Sequence, residues 1–242
     1  MNFLIPNWPA PANIKSFTTT REGGVSVAPY DSFNLATHVG DNSEKVAENR
    51  AILQQELQLP AAPLWLSQVH GTTVLDAATA KQDEEADASF TNRVGVVCAV
   101  LTADCLPVLL CDTEGTTVAA VHAGWRGLLA GAIEATVLKM SAEPKNILAW
   151  YGPALGPKSF EVGADVRDAF IAKDSIAEKA FIPVAQGKWL CDIYALADLR
   201  LHNMGVTQIF GERLCTMLDS KRFYSYRRDN VTGRMASLIW KE

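Results

Sequence analysis

The chain is 242 residues long, 48% hydrophobic and 20% charged, with a formal net charge of -5 at pH 7. That balance describes a folded globular chain rather than a disordered one. A mildly acidic sequence without a Lys/Arg block also argues against nucleic acid as the main partner.

The segment Met1 to Pro11 has no basic stretch, and Pro6, Pro9 and Pro11 interrupt any apolar run. No secretory leader is expected there, and no run is long and apolar enough for a membrane span. The expectation is a cytoplasmic protein without a membrane partner. The five cysteines, at 98, 105, 111, 191 and 215, have no regular spacing and read as reduced thiols or metal ligands. No repeat, low-complexity tract or linker divides the chain, so residues 1–242 are expected to form one domain.

The first predicted element is a strand over Ile14 to Thr20. The loop Arg21-Glu22-Gly23-Gly24-Val25-Ser26 follows; it suits a tight turn, or a backbone pocket for an anion or ribose. Asp41 and Glu44 have the spacing of a capping box. The helix after it places Val46, Arg50, Leu53 and Leu57 on one face and stops before Pro60.

Val94 to Leu101 is almost continuously apolar and β-branched, as in a strand buried on both faces. Val108–Cys111 and Thr117–Val121 follow as strands joined by the turn Asp112-Thr113-Glu114-Gly115. Helical spacing runs from Leu128 through Ile133, Val137 and Met140, and a strand is predicted over Ile147 to Tyr151. Helices over Ala164–Lys173 and Ile193–Met204 come next, the second stopped by Gly205. Short strands are predicted at Gln208–Phe210, Arg222–Tyr226 and Met235–Trp240. Strands mixed with helices, without strict alternation, give an α+β layered fold with mixed sheets.

Within this pattern, polar residues interrupt apolar strands. Thr102-Ala103-Asp104-Cys105 lies between two of them, His122 ends the Thr117–Val121 strand, and His70 ends the stretch Trp65 to Val69. A buried carboxylate or thiol is costly unless partnered. If His70, Cys105 and His122 converge, they form a His-Cys-His set suited to zinc, with a fourth position open for water or substrate. Spacing alone does not bring them together; a buried structural thiol and satisfied histidines are the plain alternative. Asp104 is then a general base or an orienter of a histidine. Arg126, next to Trp125, suits an anionic group. Gly152-Pro153-Ala154-Leu155-Gly156-Pro157 reads as a rigid loop, Tyr226-Arg227-Arg228-Asp229 as a basic edge strand or a phosphate contact, and His38 as a loop capper rather than a pocket residue. His202, on the outer face of a helix, has no role.

Many of these motifs, in this order, resemble the YfiH/YlmD family, also labelled laccase-domain or polyphenol oxidase-like proteins. The resemblance rests on Arg21 to Ser26, Asn34-Leu35 with His38 and Gly40-Asp41, Gln68-Val69-His70-Gly71, and Ala86-Asp87-Ala88. It continues through Thr102 to Val108, His122 to Gly127, Gly152 to Pro157, and Ser225 to Asp229 with Thr232-Gly233-Arg234. It implies an α/β/β/α sandwich grouped with cysteine hydrolases, and zinc on His70, Cys105 and His122. It implies purine nucleoside chemistry: phosphorolysis of adenosine, inosine and methylthioadenosine, and adenosine deamination. On that basis Cys105, His122 and Asp104 are expected to be catalytic, and Arg21, Asn34 and Arg126 to contact nucleoside or phosphate. The rival is a cysteine hydrolase, with Cys105 as nucleophile and His122 as base, acting on peptidoglycan precursors. Four histidines, with no His-x-His pair, cannot build a multicopper oxidase centre; a single copper and weak phenol oxidation remain compatible.

Overall fold

The structure, a computed structural model, describes residues 2–242. Strands β1 (Phe3–Leu4) and β2 (Ile14–Thr19) open it as an antiparallel pair. The helix cap falls one residue later than expected. Asn42, not Asp41, caps α1 (Ser43–Glu56) by accepting the Glu44 and Lys45 N–H groups. Asp41 is occupied elsewhere, accepting from Ser26 Oγ at 2.6 Å and Asn34 Nδ2 at 2.9 Å. Val46 and Leu53 are buried as their spacing predicts. Arg50 stays on that face by resting its guanidinium 4.4 Å from the Trp65 ring centroid and donating to Leu35 O.

Next come β3 (Val74–Asp76), β4 (Ala88–Thr91) and β5 (Cys98–Thr102). The apolar run from Val94 is a strand only in its second half: Gly95 has a φ of +76° and Val94 is exposed. β6 (Leu106–Asp112) and β7 (Val118–Ala123) pair across the expected turn. The single helical stretch beyond Gly127 is two helices, α2 (Trp125–Ala130) and α3 (Ala132–Lys139), because Gly131 between them sits at a φ of +111°.

β8 (Ile147–Tyr151), α4 (Ala164–Lys173), α5 (Ile193–Asn203), β12 (Gln208–Phe210) and β13 (Met235–Lys241) lie where the pattern puts them. Between them β9 (Glu161–Gly163), β10 (Phe181–Ala185) and β11 (Lys188–Cys191) form a small antiparallel sheet. The strand expected over Arg222–Tyr226 is absent. Ser225 instead caps a one-turn helix, α6 (Tyr226–Asp229), by accepting the Arg228 N–H.

Two sheets carry the architecture: a mixed six-stranded sheet, β12-β8-β6-β7-β4-β3, and a four-stranded sheet, β1-β2-β13-β5. Side-chain alternation sorts the strands' residues between faces. Val108, Leu110, Val121 and Ala149 pack on Leu128, Ile133 and Val137 of α2 and α3 and on Leu196 and Leu201 of α5. Leu109, Cys111, Ala120 and Trp150 point the other way, against Cys98, Val100 and Ile239 of the four-stranded sheet. The far face of that sheet, Ala99, Leu101, Leu238 and Trp240, is covered by Leu53 of α1. The layers therefore run helix, sheet, sheet, helix. The chain crosses from β5 in one sheet to β6 in the other through Ala103-Asp104-Cys105, and this crossing sets the position of the site.

Candidate metal centre

His70, Cys105 and His122 reach one point from three elements. Cys105 lies on the β5–β6 crossing, His122 is in β7 opposite Pro107 of β6, and His70 sits in the loop after Trp65 to Val69 at a φ of +61°. Their ligand atoms all lie within 4.8 Å of one another. Cys105 Sγ is 3.7 Å from His70 Nε2, close to the roughly 3.6 Å edge between sulfur and nitrogen ligands on a tetrahedral zinc. A Cβ on Gly124 would stand 2.6 Å from His70 Cδ2 and 3.1 Å from Cys105 Sγ, so glycine is what leaves room for this cluster. The set grades from exposed His70 through half-buried Cys105 to buried His122. Two imidazoles and a thiolate fit a metal ion, with one coordination position left open on the solvent side.

The organiser of the cluster is Asp87, a fully buried residue just before β4. One carboxylate oxygen accepts from His122 Nδ1 at 2.7 Å and from the His70 N–H at 2.9 Å. The other accepts from the Gly71 N–H at 2.6 Å and the Val69 N–H at 3.3 Å. Asp87 thereby fixes the left-handed turn at His70. It also holds His122 with Nδ1 as donor, which directs Nε2 toward the cluster. Burial pushes its carboxyl up, but the hydrogen bonds from His122, Gly71 and His70 hold it below its ordinary range. Gln68 secures the same loop to β5, exchanging two hydrogen bonds with the Leu101 backbone at 2.7 and 2.8 Å.

Charge follows geometry. Burial pushes the Cys105 thiol up, but the neighbouring His122 and His70 outweigh it and bring it down to about 6. Burial likewise pushes His122 down, and the Cys105 thiolate and Asp87 bring it up to about 9. Without a metal the pair is a thiolate and an imidazolium. Cys98, Cys111 and Cys191 are instead pushed up to about 12, chiefly by burial, so burial alone does not activate a thiol in this fold.

The cluster forms the floor of a cleft of about 560 Å³, within the size range of small-molecule sites. Arg126 lines it, its guanidinium 4.3 Å from the Trp125 ring centroid. Arg227, Arg234, His38 and Tyr226 line it too. Like Arg50 and Arg93, none of Arg126, Arg227 and Arg234 has an ion-pair partner among the described residues, whereas Arg21, Arg167, Arg200, Arg213, Arg222 and Arg228 each do.

Other expected site residues fall elsewhere. Arg21 pairs with Asp31, donates to Ser220 O and lies over the Tyr224 ring, outside this cleft. Asn34 is fully buried, holding Ala36 and Asp41 and accepting the Arg234 N–H, so its groups are spent on the fold. Asp104 lines the cleft but orients no histidine: its oxygens accept from Thr216 Oγ1 and the Arg227 N–H, each at 2.6 Å. It ties the α6 segment to the Cys105 crossing, at a strained φ of +97°. His38 is a pocket residue rather than only a loop capper. The Gly23-Gly24 pair is a tight turn closed on Ser32 Oγ.

A family model described as multi-copper polyphenol oxidoreductase laccase matches residues 15–242. A purine nucleoside phosphorylase of Haemophilus influenzae is 52% identical over 244 residues, covering 100% of both chains. The purine nucleoside phosphorylase YfiH of Escherichia coli is 54% identical over 238 residues, covering 98% of each. Among solved structures, a Neisseria meningitidis protein superposes with a TM-score of 0.97 at 51% identity, over 100% of both chains. YlmD of Geobacillus stearothermophilus gives 0.94 at 28% identity, over 100% of this chain and 97% of the other.

Asp87→Asn offers a test of this geometry. The amide turns one acceptor into a donor facing N–H groups, so metal affinity is expected to fall by about 10- to 100-fold. Competition with a chromogenic chelator measures it; an unchanged affinity would show that Asp87 does not organise the centre.

Proposed function

The chain belongs to the YfiH family, matched by the multi-copper polyphenol oxidoreductase laccase domain, and from that premise we propose that it is a zinc-dependent purine nucleoside phosphorylase. The observation that carries the reading is one cleft joining a His-Cys-His centre to three arginines without counter-ions. Phosphorolysis needs a dianionic co-substrate beside a neutral nucleoside, and those free guanidiniums in a chain of net charge -5 suit the dianion. Trp125, Phe160 and Tyr226 supply aromatic walls for the base and ribose.

In the step envisaged, a phosphate oxygen forms the bond to C1′ of the ribose as the C1′–N9 bond breaks. The electron pair leaves with the purine, and the proton of hydrogen phosphate ends on the free base. His70, Cys105 and His122 would hold zinc; bound there, it supplies Lewis acidity and an activated water. That chemistry extends the reading to methylthioadenosine and to adenosine deamination. Copper fits the same donors, so phenol oxidation at a single ion is compatible. The four histidines do not suffice for a blue-copper site plus a trinuclear cluster. The setting proposed is cytoplasmic, and among the described residues no helix is long and apolar enough to cross a membrane.

The test is release of hypoxanthine from inosine by the purified, metal-loaded protein. Release is expected to require phosphate and to vanish in Cys105→Ala and after chelation. Undiminished turnover in Cys105→Ala would overturn the reading.

A cysteine hydrolase reading has its own observation. Cys105, His122 and Asp87 stand in the order nucleophile, base and orienting carboxylate. Alkylation with iodoacetamide separates the two. In chelated protein the lowered thiol pKa leaves thiolate above about pH 6, so the rate should rise with a midpoint near 6. Zinc is expected to suppress it. Equal reactivity with and without zinc would favour the hydrolase and count against the metal centre.

A further inference from the structure

The phosphorolysis scheme calls on three arginines together, and Arg234, of the Thr232-Gly233-Arg234 motif, is the one set deepest in the fold. Its backbone is pinned: its N–H donates to Asn34 Oδ1 at 3.0 Å, and Met235, the next residue, pairs with Thr102 of β5 beside the Cys105 crossing. Its side chain is only partly used. Nη1 donates to Thr232 O at 2.8 Å and Gly233 O at 3.0 Å, while the remaining N–H groups have no protein acceptor among the described residues. A guanidinium carries five donors in a fixed fork and does not deprotonate. Here it is half-buried, lies 5.8 Å from the Tyr226 ring centroid and lines the cleft with His38, His122 and Cys105; no carboxylate pairs with it directly, though the Cys105 and Asp104 charges act on it.

A half-buried cation with no directly paired carboxylate is costly, and with the Cys105 thiolate committed to a metal its free N–H edge suits an anion from solution. Arg126 and Arg227 are the exposed cations of the rim. Arg126 rests on Trp125, and Arg227 rests over Phe160 and donates to Glu161 O. Their position suits attraction of an anion from solution rather than its final hold. His38 stands beside Arg234, and burial together with the Arg234 and Arg50 charges holds its pKa down. A neutral imidazole there is able to donate one hydrogen bond without needing a counter-ion of its own.

We propose that Arg234, with His38 beside it, forms the inner oxyanion subsite of the cleft, taking two oxygens of inorganic phosphate on its free N–H edge. The assignment rests on the phosphorolysis reading for its role in turnover, but not for binding. It replaces Arg21, which the sequence had put forward for this contact and which lies outside the cleft. Arg234 is the specificity residue for phosphate, and its loss acts on the co-substrate rather than on the nucleoside.

The experiment uses zinc-loaded protein and inorganic phosphate alone, with chloride at matched ionic strength as control. Phosphate should raise the melting temperature of the wild type. The rise should vanish in Arg234→Gln and shrink in Arg234→Lys, which keeps the charge but not the fork. In turnover, KM for phosphate should increase about 10- to 100-fold, the loss of one or two charged hydrogen bonds, with KM for inosine nearly unchanged. If Arg234→Gln folds poorly, Arg234→Lys carries the comparison. A phosphate shift of wild-type size in the variants, or none in the wild type, overturns the subsite. Phosphate binding that depends on Arg234, in a protein that never cleaves inosine, would keep the subsite and remove the phosphorolysis reading. Phosphorolysis with an unchanged KM for phosphate in the variants would do the reverse.

Discussion

One buried carboxylate governs the site. Asp87 accepts three consecutive backbone N–H groups, from Val69, His70 and Gly71, together with the His122 ring. A charge with no access to water is tolerated only when its lone pairs are filled, and here four donors fill them. The same bonds that make its burial tolerable fix a left-handed residue in an exposed loop and the tautomer of a histidine in a central strand. Two candidate metal ligands from distant segments, His70 and His122, are thereby locked to a common reference. Cys105, on the crossing between sheets, completes the set.

The sheets explain why Cys105 arrives there. β5 belongs to the four-stranded sheet and β6 to the six-stranded one, so the chain must turn sharply between layers. Asp104 takes the strained conformation in that turn and spends its carboxylate on Thr216 and the backbone of Arg227. The cleft therefore inherits cations from α2, from α6 and from Arg234 just before β13, while its one lining carboxylate, Asp104, is tied up in the fold. An acidic protein thus presents a locally positive pocket, an arrangement that concentrates anions where net charge alone would repel them.

Much of this was legible in the chain, and the exceptions have physical causes. Ile147–Tyr151 matches its predicted bounds because the run of apolar residues coincides with the element, and Ala164–Lys173 because Val166 and Phe170 fall one helical turn apart on its buried face. Val94 misled because an apolar residue beside a positive-φ glycine sits in a turn. Arg222–Tyr226 misled because Ser225 offers a helix cap that outweighs β-propensity over so few residues. The sheet β9-β10-β11 escaped notice because its strands are short and the apolar run of β10, Phe181-Ile182-Pro183-Val184-Ala185, is interrupted by Pro183 and largely exposed.

At the site, His70, Cys105 and His122 stood out as polar interruptions of apolar strands, but their convergence depends on the crossing and on Asp87. The sequence carried a signal for Asp87 too: an acid between Ala86 and Ala88, at the head of a buried strand, needs partners just as Asp104 does. Arg21 and Asn34 were drawn into the site by motif alone, whereas their bonds serve the packing of the first loop.

The most direct test of the proposed centre is X-ray absorption at the zinc edge on protein loaded to one equivalent. The expected shell is one sulfur at about 2.3 Å and two imidazole nitrogens at about 2.0 Å, completed by a light atom from water. A shell without sulfur, or one unchanged by Cys105→Ala, would contradict it.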